Sequence, residues 1–72
     1  MASFGTRLKE LRRSRDMTQK ETAQLLKITE RNFQGYEYDK VKPSYDNLIA
    51  LADYFDVSLD YLVGRSDVQE RR

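Results

Sequence analysis

Apolar residues recur three and four positions apart along this chain, in five short blocks separated by polar breaks. Phe4, Leu8 and Leu11 share one face of a first helix, predicted from about Phe4 to Ser14. Its other faces carry Arg7, Lys9, Glu10, Arg12, Arg13 and Arg15, and Asp16-Met17 interrupts the pattern. Thr18-Gln19-Lys20-Glu21 reads as a capping box, in which the Thr18 hydroxyl accepts from the Glu21 amide and the Glu21 carboxylate from the Thr18 amide. The second helix runs from there to about Lys27, with Thr22, Leu25 and Leu26 expected inward and Ala23 small enough for close helix contact. Thr29 is placed to cap a third helix, running to about Tyr38, whose buried side carries Phe33, Tyr36 and Glu37. Gly35 inside that helix costs roughly 1 kcal/mol relative to Ala, so something else holds it.

Asp39 to Ser44 is a loop containing two lysines and the only proline. Ser44 caps a fourth helix with the strongest apolar stripe: Leu48, Ile49, Leu51, Ala52 and Phe55. Ser58 caps a fifth, Leu59 to Val63, and Gly64 is a natural stop. Residues 65–72 have little to bury and are expected to fray. With no alternating strand pattern and no repeat, the expected fold is all-α: a bundle of five short helices spanning 1–64.

Composition narrows what such a bundle can do. Seventy-two residues make one domain with a small core. The absence of cysteine and histidine removes disulfides, thiolate zinc sites, cysteine nucleophiles, the commonest general base and the commonest metal ligand. Asp53 and Asp56 could be read as a carboxylate pair, but with no cleft-forming second domain or phosphate loop the reading is of a solvated helix face, not an enzyme. No cofactor or metal is expected, and so small a core leaves no room for a small-molecule effector. No apolar run approaches the ~20 residues of a membrane span, and Met1-Ala2-Ser3 opens no signal peptide, so a cytoplasmic location is expected.

The net charge of +1 conceals a sorting of charge. Residues 1–42 hold ten Lys/Arg against six Asp/Glu, and residues 43–72 hold three against six. An anionic partner would meet the basic half. That half contains two short helices joined by about three residues, the plan of a helix-turn-helix. On a wheel of 100° per residue, Arg31, Gly35 and Tyr38 of the third helix lie opposite its buried side, flanked by Asn32 and Gln34. Arg can bind guanine O6 and N7 bidentately, Asn or Gln can pair with adenine, and Glu30 could accept from cytosine N4. Nothing indicates the aromatic stacking sheet of single-stranded RNA readers.

The order and spacing of Gln19, Glu21, Ala23, Leu26, Ile28-Thr29, Phe33, Glu37, Lys40, Pro43-Ser44, Leu48, Leu51-Ala52, Val57-Ser58 and Leu62 resemble the phage repressor and Cro type of helix-turn-helix domain. The likeness runs from about Phe4 to Gly64, and the segments Phe4 to Arg12 and Val57 to Arg65 also resemble small stand-alone bacterial or prophage regulators of that type. The resemblance implies a lambda-repressor-like bundle that binds a palindromic duplex DNA operator as a homodimer, with the third helix in the major groove and repression as the outcome. It implies base reading by Thr29, Glu30, Arg31, Gln34 and Gly35. It implies phosphate contacts by Arg12, Thr18, Gln19, Asn32, Tyr38, Lys40 and Lys42, with Gln19 also touching the start of the recognition helix. Arg12 and Glu37 match a family ion pair. Two positions depart from the pattern: Lys27 stands where Gly is common in the turn, which demands a positive φ or another turn geometry, and Asp39 stands where Gly often closes the third helix.

A twofold dimer would place two recognition helices about 34 Å apart, in successive major grooves. Tyr54, Leu59, Tyr61, Leu62 and Val63 are the expected dimer surface. An alternative from the same resemblance is an antitoxin-like or other protein-interaction module, for which Tyr36, Tyr38, Tyr45, Tyr54 and Tyr61 are an ample aromatic supply.

Overall fold

Each helix among the described residues begins on a hydroxyl and ends on a left-handed residue. The computed structural model describes residues 3–70. The helices are α1 (Phe4–Ser14), α2 (Gln19–Leu26), α3 (Glu30–Glu37), α4 (Tyr45–Phe55) and α5 (Leu59–Leu62), with no strand among the described residues. Ser3, Thr18, Thr29, Ser44 and Ser58 precede them in extended backbone, and each side-chain oxygen accepts from the amide three residues on. Such a cap satisfies an amide that the helix itself cannot, and is worth about 1 kcal/mol.

At the other ends, Asp16, Lys27, Asp39, Asp56 and Gly64 have φ between 54° and 84°. After each, the next amide reaches back five residues: Met17 to the Arg12 carbonyl, Ile28 to Ala23, Lys40 to Gly35, Val57 to Ala52 and Arg65 to Asp60. This is the Schellman closure, which occupies the last carbonyls and turns the chain sharply. Lys27 therefore does adopt the left-handed conformation (φ 56°, ψ 40°), and the turn keeps its form without glycine.

The core is built from Leu8, Leu11, Ala23, Phe33, Tyr36, Leu51, Ala52, Phe55, Val57 and Leu62, with Phe4, Leu26, Ile28, Leu48 and Tyr61 packed around it. Two helices come closer than side chains usually permit. A Cβ at Gly5 would overlap the Glu37 carbonyl oxygen and stand 2.9 Å from Asp39 Oδ2, so the start of α1 lies directly on the end of α3. Asp39 uses that closeness. Its carboxylate accepts from the Gly5 amide at 2.9 Å and from Ser3 Oγ at 2.6 Å, joining the residue after α3 to the head of α1.

Four expectations need correction. Leu25 is 49% exposed, and the inward face of α2 is Thr22, Ala23 and Leu26. An eight-residue helix packed chiefly on α3 has one narrow buried stripe, and Leu25 falls beside it. Arg7, placed on the outer face of α1, is buried. Its guanidinium lies 3.9 Å from the Tyr61 ring centroid, donates to the Ser66 carbonyl at 3.2 Å and meets the Asp67 carboxylate at 2.5 Å. A long aliphatic stem lets an arginine cross an apolar surface and deliver its head to polar groups beyond. Those groups belong to the segment expected to fray. Residues 65–70 instead lie back on α5: Ser58 donates its amide to Gln69 O (2.9 Å) and its hydroxyl to Val68 O (3.1 Å), and Gln69 Nε2 donates to the Tyr61 hydroxyl (3.0 Å). Arg71 and Arg72 lie outside the described residues. Finally, Leu62 is 0% exposed and belongs to the core, so it presents nothing to a second copy. Of the other residues expected at a dimer surface, Tyr54 and Leu59 are exposed at 42% and 41%, and Tyr61 and Val63 are half-buried.

Candidate nucleic-acid interface

Helix α3 is held by its inner face and shows its outer face to solvent. Phe33 is fully buried, and Tyr36 is locked from two sides, by the core and by Asn47 Nδ2, which donates to its hydroxyl at 3.0 Å. Glu37 is buried at the helix end. Arg12 Nε donates to Glu37 Oε2 at 2.6 Å and Arg12 Nη2 to Oε1 at 3.2 Å, while Nη1 reaches the Met17 carbonyl at 2.8 Å. The bidentate pair spans α1 and α3.

Gln19 extends this network. Its Nε2 donates to Glu37 Oε1 at 2.9 Å, and its Oε1 accepts from Gln34 Nε2 at 3.1 Å. Gln19 thus ties the first turn of α2 to the middle and end of α3, not to its start. Among the described residues no buried side-chain nitrogen or oxygen is left without a partner. A fully satisfied polar network fixes one relative placement of its helices, because any other leaves a buried group unpaired. At the exposed start of α2 the expected capping box is complete, with the Thr18 amide donating to Glu21 Oε1 at 2.8 Å. Those Thr18 hydrogen bonds, the backbone one foremost, hold the Glu21 carboxyl below its ordinary range.

The outer face of α3 forms the floor of a shallow, open groove. Thr29, Arg31, Asn32, Gln34, Gly35, Tyr38 and Lys40 line it, joined by Lys27, Ile28 and Val41. Arg31, Thr29, Tyr38 and Lys40 are exposed, and Asn32 and Gln34 are half-buried. The structure does not gather every expected residue there. Glu30 is exposed but outside the groove, Lys42 borders a separate hollow with Phe4, Pro43 and Leu48, and Thr18 lies at the α2 cap. Arg12 faces inward with three of its five N–H groups already committed, so its first role is that of a brace. Lys27, Ile28 and Val41 are the groove residues that the sequence does not mark as DNA contacts. For Val41 the available signal is Gly35, a helix-weakening residue with no side chain to offer a base, six positions before a β-branched side chain.

A family model described as helix-turn-helix matches residues 8–62. The chain belongs to this helix-turn-helix family. It is 42% identical over 69 residues to the HTH-type transcriptional regulator ImmR of Bacillus subtilis (strain 168), an alignment covering 96% of this chain and 54% of that protein. It is 42% identical over 59 residues to AnsR, an HTH-type transcriptional regulator of the same organism, covering 82% and 51%. The chain therefore spans about half the length of the curated relatives it matches. Among solved structures, a transcriptional regulator from Listeria innocua is similar with a TM-score of 0.84 at 34% identity, over 97% of this chain and 64% of that one. The P22 c2 repressor, solved in complex with a synthetic operator, shares the fold with a TM-score of 0.83 at 21% identity, over 92% of this chain and all of that one. The all-α, repressor-like architecture is that of the five-helix bundle, in which α2 and α3 form the helix-turn-helix. No helix among the described residues is long and apolar enough to cross a membrane.

Proposed function

We propose that this protein is a sequence-specific duplex-DNA-binding transcriptional regulator, acting as a repressor, with α3 lying in the major groove. The observation that carries the reading is the exposed Arg31 on a helix whose inner face is immobilised by Arg12, Gln19 and Glu37. A rigid helix presenting a bidentate donor is what a guanine edge requires. Thr29 and Gln34 flank Arg31 as further base contacts, with Glu30 at the helix start. Lys40 and Tyr38 at one end, Asn32 along the helix, Gln19 and Thr18 at the head of α2, and Lys42 beyond the groove supply phosphate contacts, to which Arg12 adds at most the edge of its guanidinium. The reading assigns no catalytic step and no cofactor.

The protein acts as a homodimer on a palindromic site. Its Cα extents of 30 × 22 × 21 Å suit two copies spaced by about 34 Å, one turn of DNA. Exposed Tyr54 and Leu59 are the available apolar contacts, with Tyr61 and Val63 at their margin. Selection of binding sites from random duplexes tests the whole reading. A twofold-symmetric consensus with half-sites one helical turn apart is expected. A pool that shows no enrichment at low ionic strength would refute it.

A further inference from the structure

Arg31 and Gly35 stand four residues apart on α3 and therefore share its outer face. Gly35 contributes no side chain there, but the space is not empty. A Cβ built on Gly35 would fall 2.7 Å from Val41 Cγ2 and 3.1 Å from Val41 Cβ. The isopropyl group of a loop residue thus occupies the volume that a side chain at position 35 would take. The loop is held to the helix at this point, since the amides of Lys40 and Val41 both donate to the Gly35 carbonyl, at 2.9 and 3.1 Å. Val41 remains 41% exposed, and it lines the same groove as Arg31, Gln34 and Tyr38.

Val41 stands between this groove and the hollow lined by Phe4, Pro43, Leu48 and Val63, and the exposed part of its isopropyl group adds an apolar surface beside Arg31, Asn32 and Gln34. In the major groove, base edges offer one apolar feature, the C5-methyl of thymine; the rest are hydrogen-bond donors and acceptors. We propose that Val41 is a specificity-determining residue that reads a thymine methyl next to the base pair met by Arg31, with Gly35 serving to admit it. The inference rests on the DNA-binding reading above. It places one element of sequence recognition on the loop after α3 rather than on the helix.

The test uses the full chain and the duplex that it selects from a random pool. Each thymine of a half-site is replaced singly by deoxyuridine, which removes only the methyl, and affinity is measured by fluorescence anisotropy. One replacement per half-site is expected to weaken binding about fourfold, the effect of one buried methylene-sized group. In Val41→Ala that replacement should change nothing, because the variant has already lost the contact. Val41→Thr keeps the shape of the loop and exchanges one methyl for a hydroxyl, so it should reduce the penalty while preserving the helical circular-dichroism spectrum. A flat deoxyuridine scan, or a deoxyuridine penalty in Val41→Ala and Val41→Thr as large as in the unsubstituted protein, would overturn the assignment while leaving groove binding by α3 intact. Failure to select any duplex would overturn both.

Discussion

Two arginines of α1 end up buried, one at each end of the helix, and their surroundings differ in a way that separates the two halves of the molecule. Arg12 pairs with Glu37, whose side chain is 0% exposed, and both belong to a closed network with Gln19 and Gln34 beneath the helix-turn-helix. Arg7 pairs with Asp67, whose side chain is 91% exposed, and its remaining partners are backbone carbonyls and the face of Tyr61. The first pair is enclosed and every member depends on the others. The second can lose its carboxylate and still keep two backbone carbonyls and a ring. A buried pair adds little net stability when intact but is costly to break, whereas an exposed partner is screened and replaceable. Position along one helix thus decides whether an ion pair orients a site or merely fastens a segment.

The comparison is broken most sharply by Glu37→Ala. Removing that carboxylate leaves Arg12 uncompensated and takes an acceptor from Gln19, so urea denaturation should show a loss of about 3–5 kcal/mol. A loss below 1 kcal/mol would mean that the network is not closed. Arg31→Ala should leave the urea midpoint unchanged and cost about 1–3 kcal/mol of binding to the selected duplex, with discrimination relaxed at one base pair. Lys40→Ala should instead weaken all duplexes alike and lower the salt slope by about 1, and identical behaviour of the two variants would remove the distinction between base and phosphate contacts. Lys27→Gly should raise stability by roughly 0.5–1 kcal/mol. It relieves the left-handed penalty of about 1–2 kcal/mol and gives back part of it as unfolded-chain entropy. Asp67→Ala comes last, with a loss under about 1 kcal/mol and unchanged duplex affinity. A larger effect would show that the C-terminal segment supports the groove.

The same contrast explains what was legible in the sequence. The helix periods and the hydroxyl caps are local signals, and the five elements follow from them with bounds within a residue or two. The helix-turn-helix and the Arg12–Glu37 pair were also legible, because their residues recur in a recognisable order. Three features were not. The local pattern places Arg7 in solvent, whereas its burial depends on Ser66 and Asp67, about sixty positions away. Residues 65–70 were expected to fray because they are polar, yet what holds them is backbone and side-chain hydrogen bonding to Ser58 and Tyr61 rather than apolar burial. The purpose of Gly35 depends on where the loop carries Val41, and no periodicity reports that.

The strut formed by Asp39 has a mechanical consequence. Its carboxylate anchors the residue just before Lys40 to the first turn of α1. A phosphate pressing on that loop would transmit its load into the contact between α1 and α3 rather than into a slack connector. Little ordering entropy should then be lost on association, and recognition should resemble the docking of a rigid key more than the folding of a loop around its target.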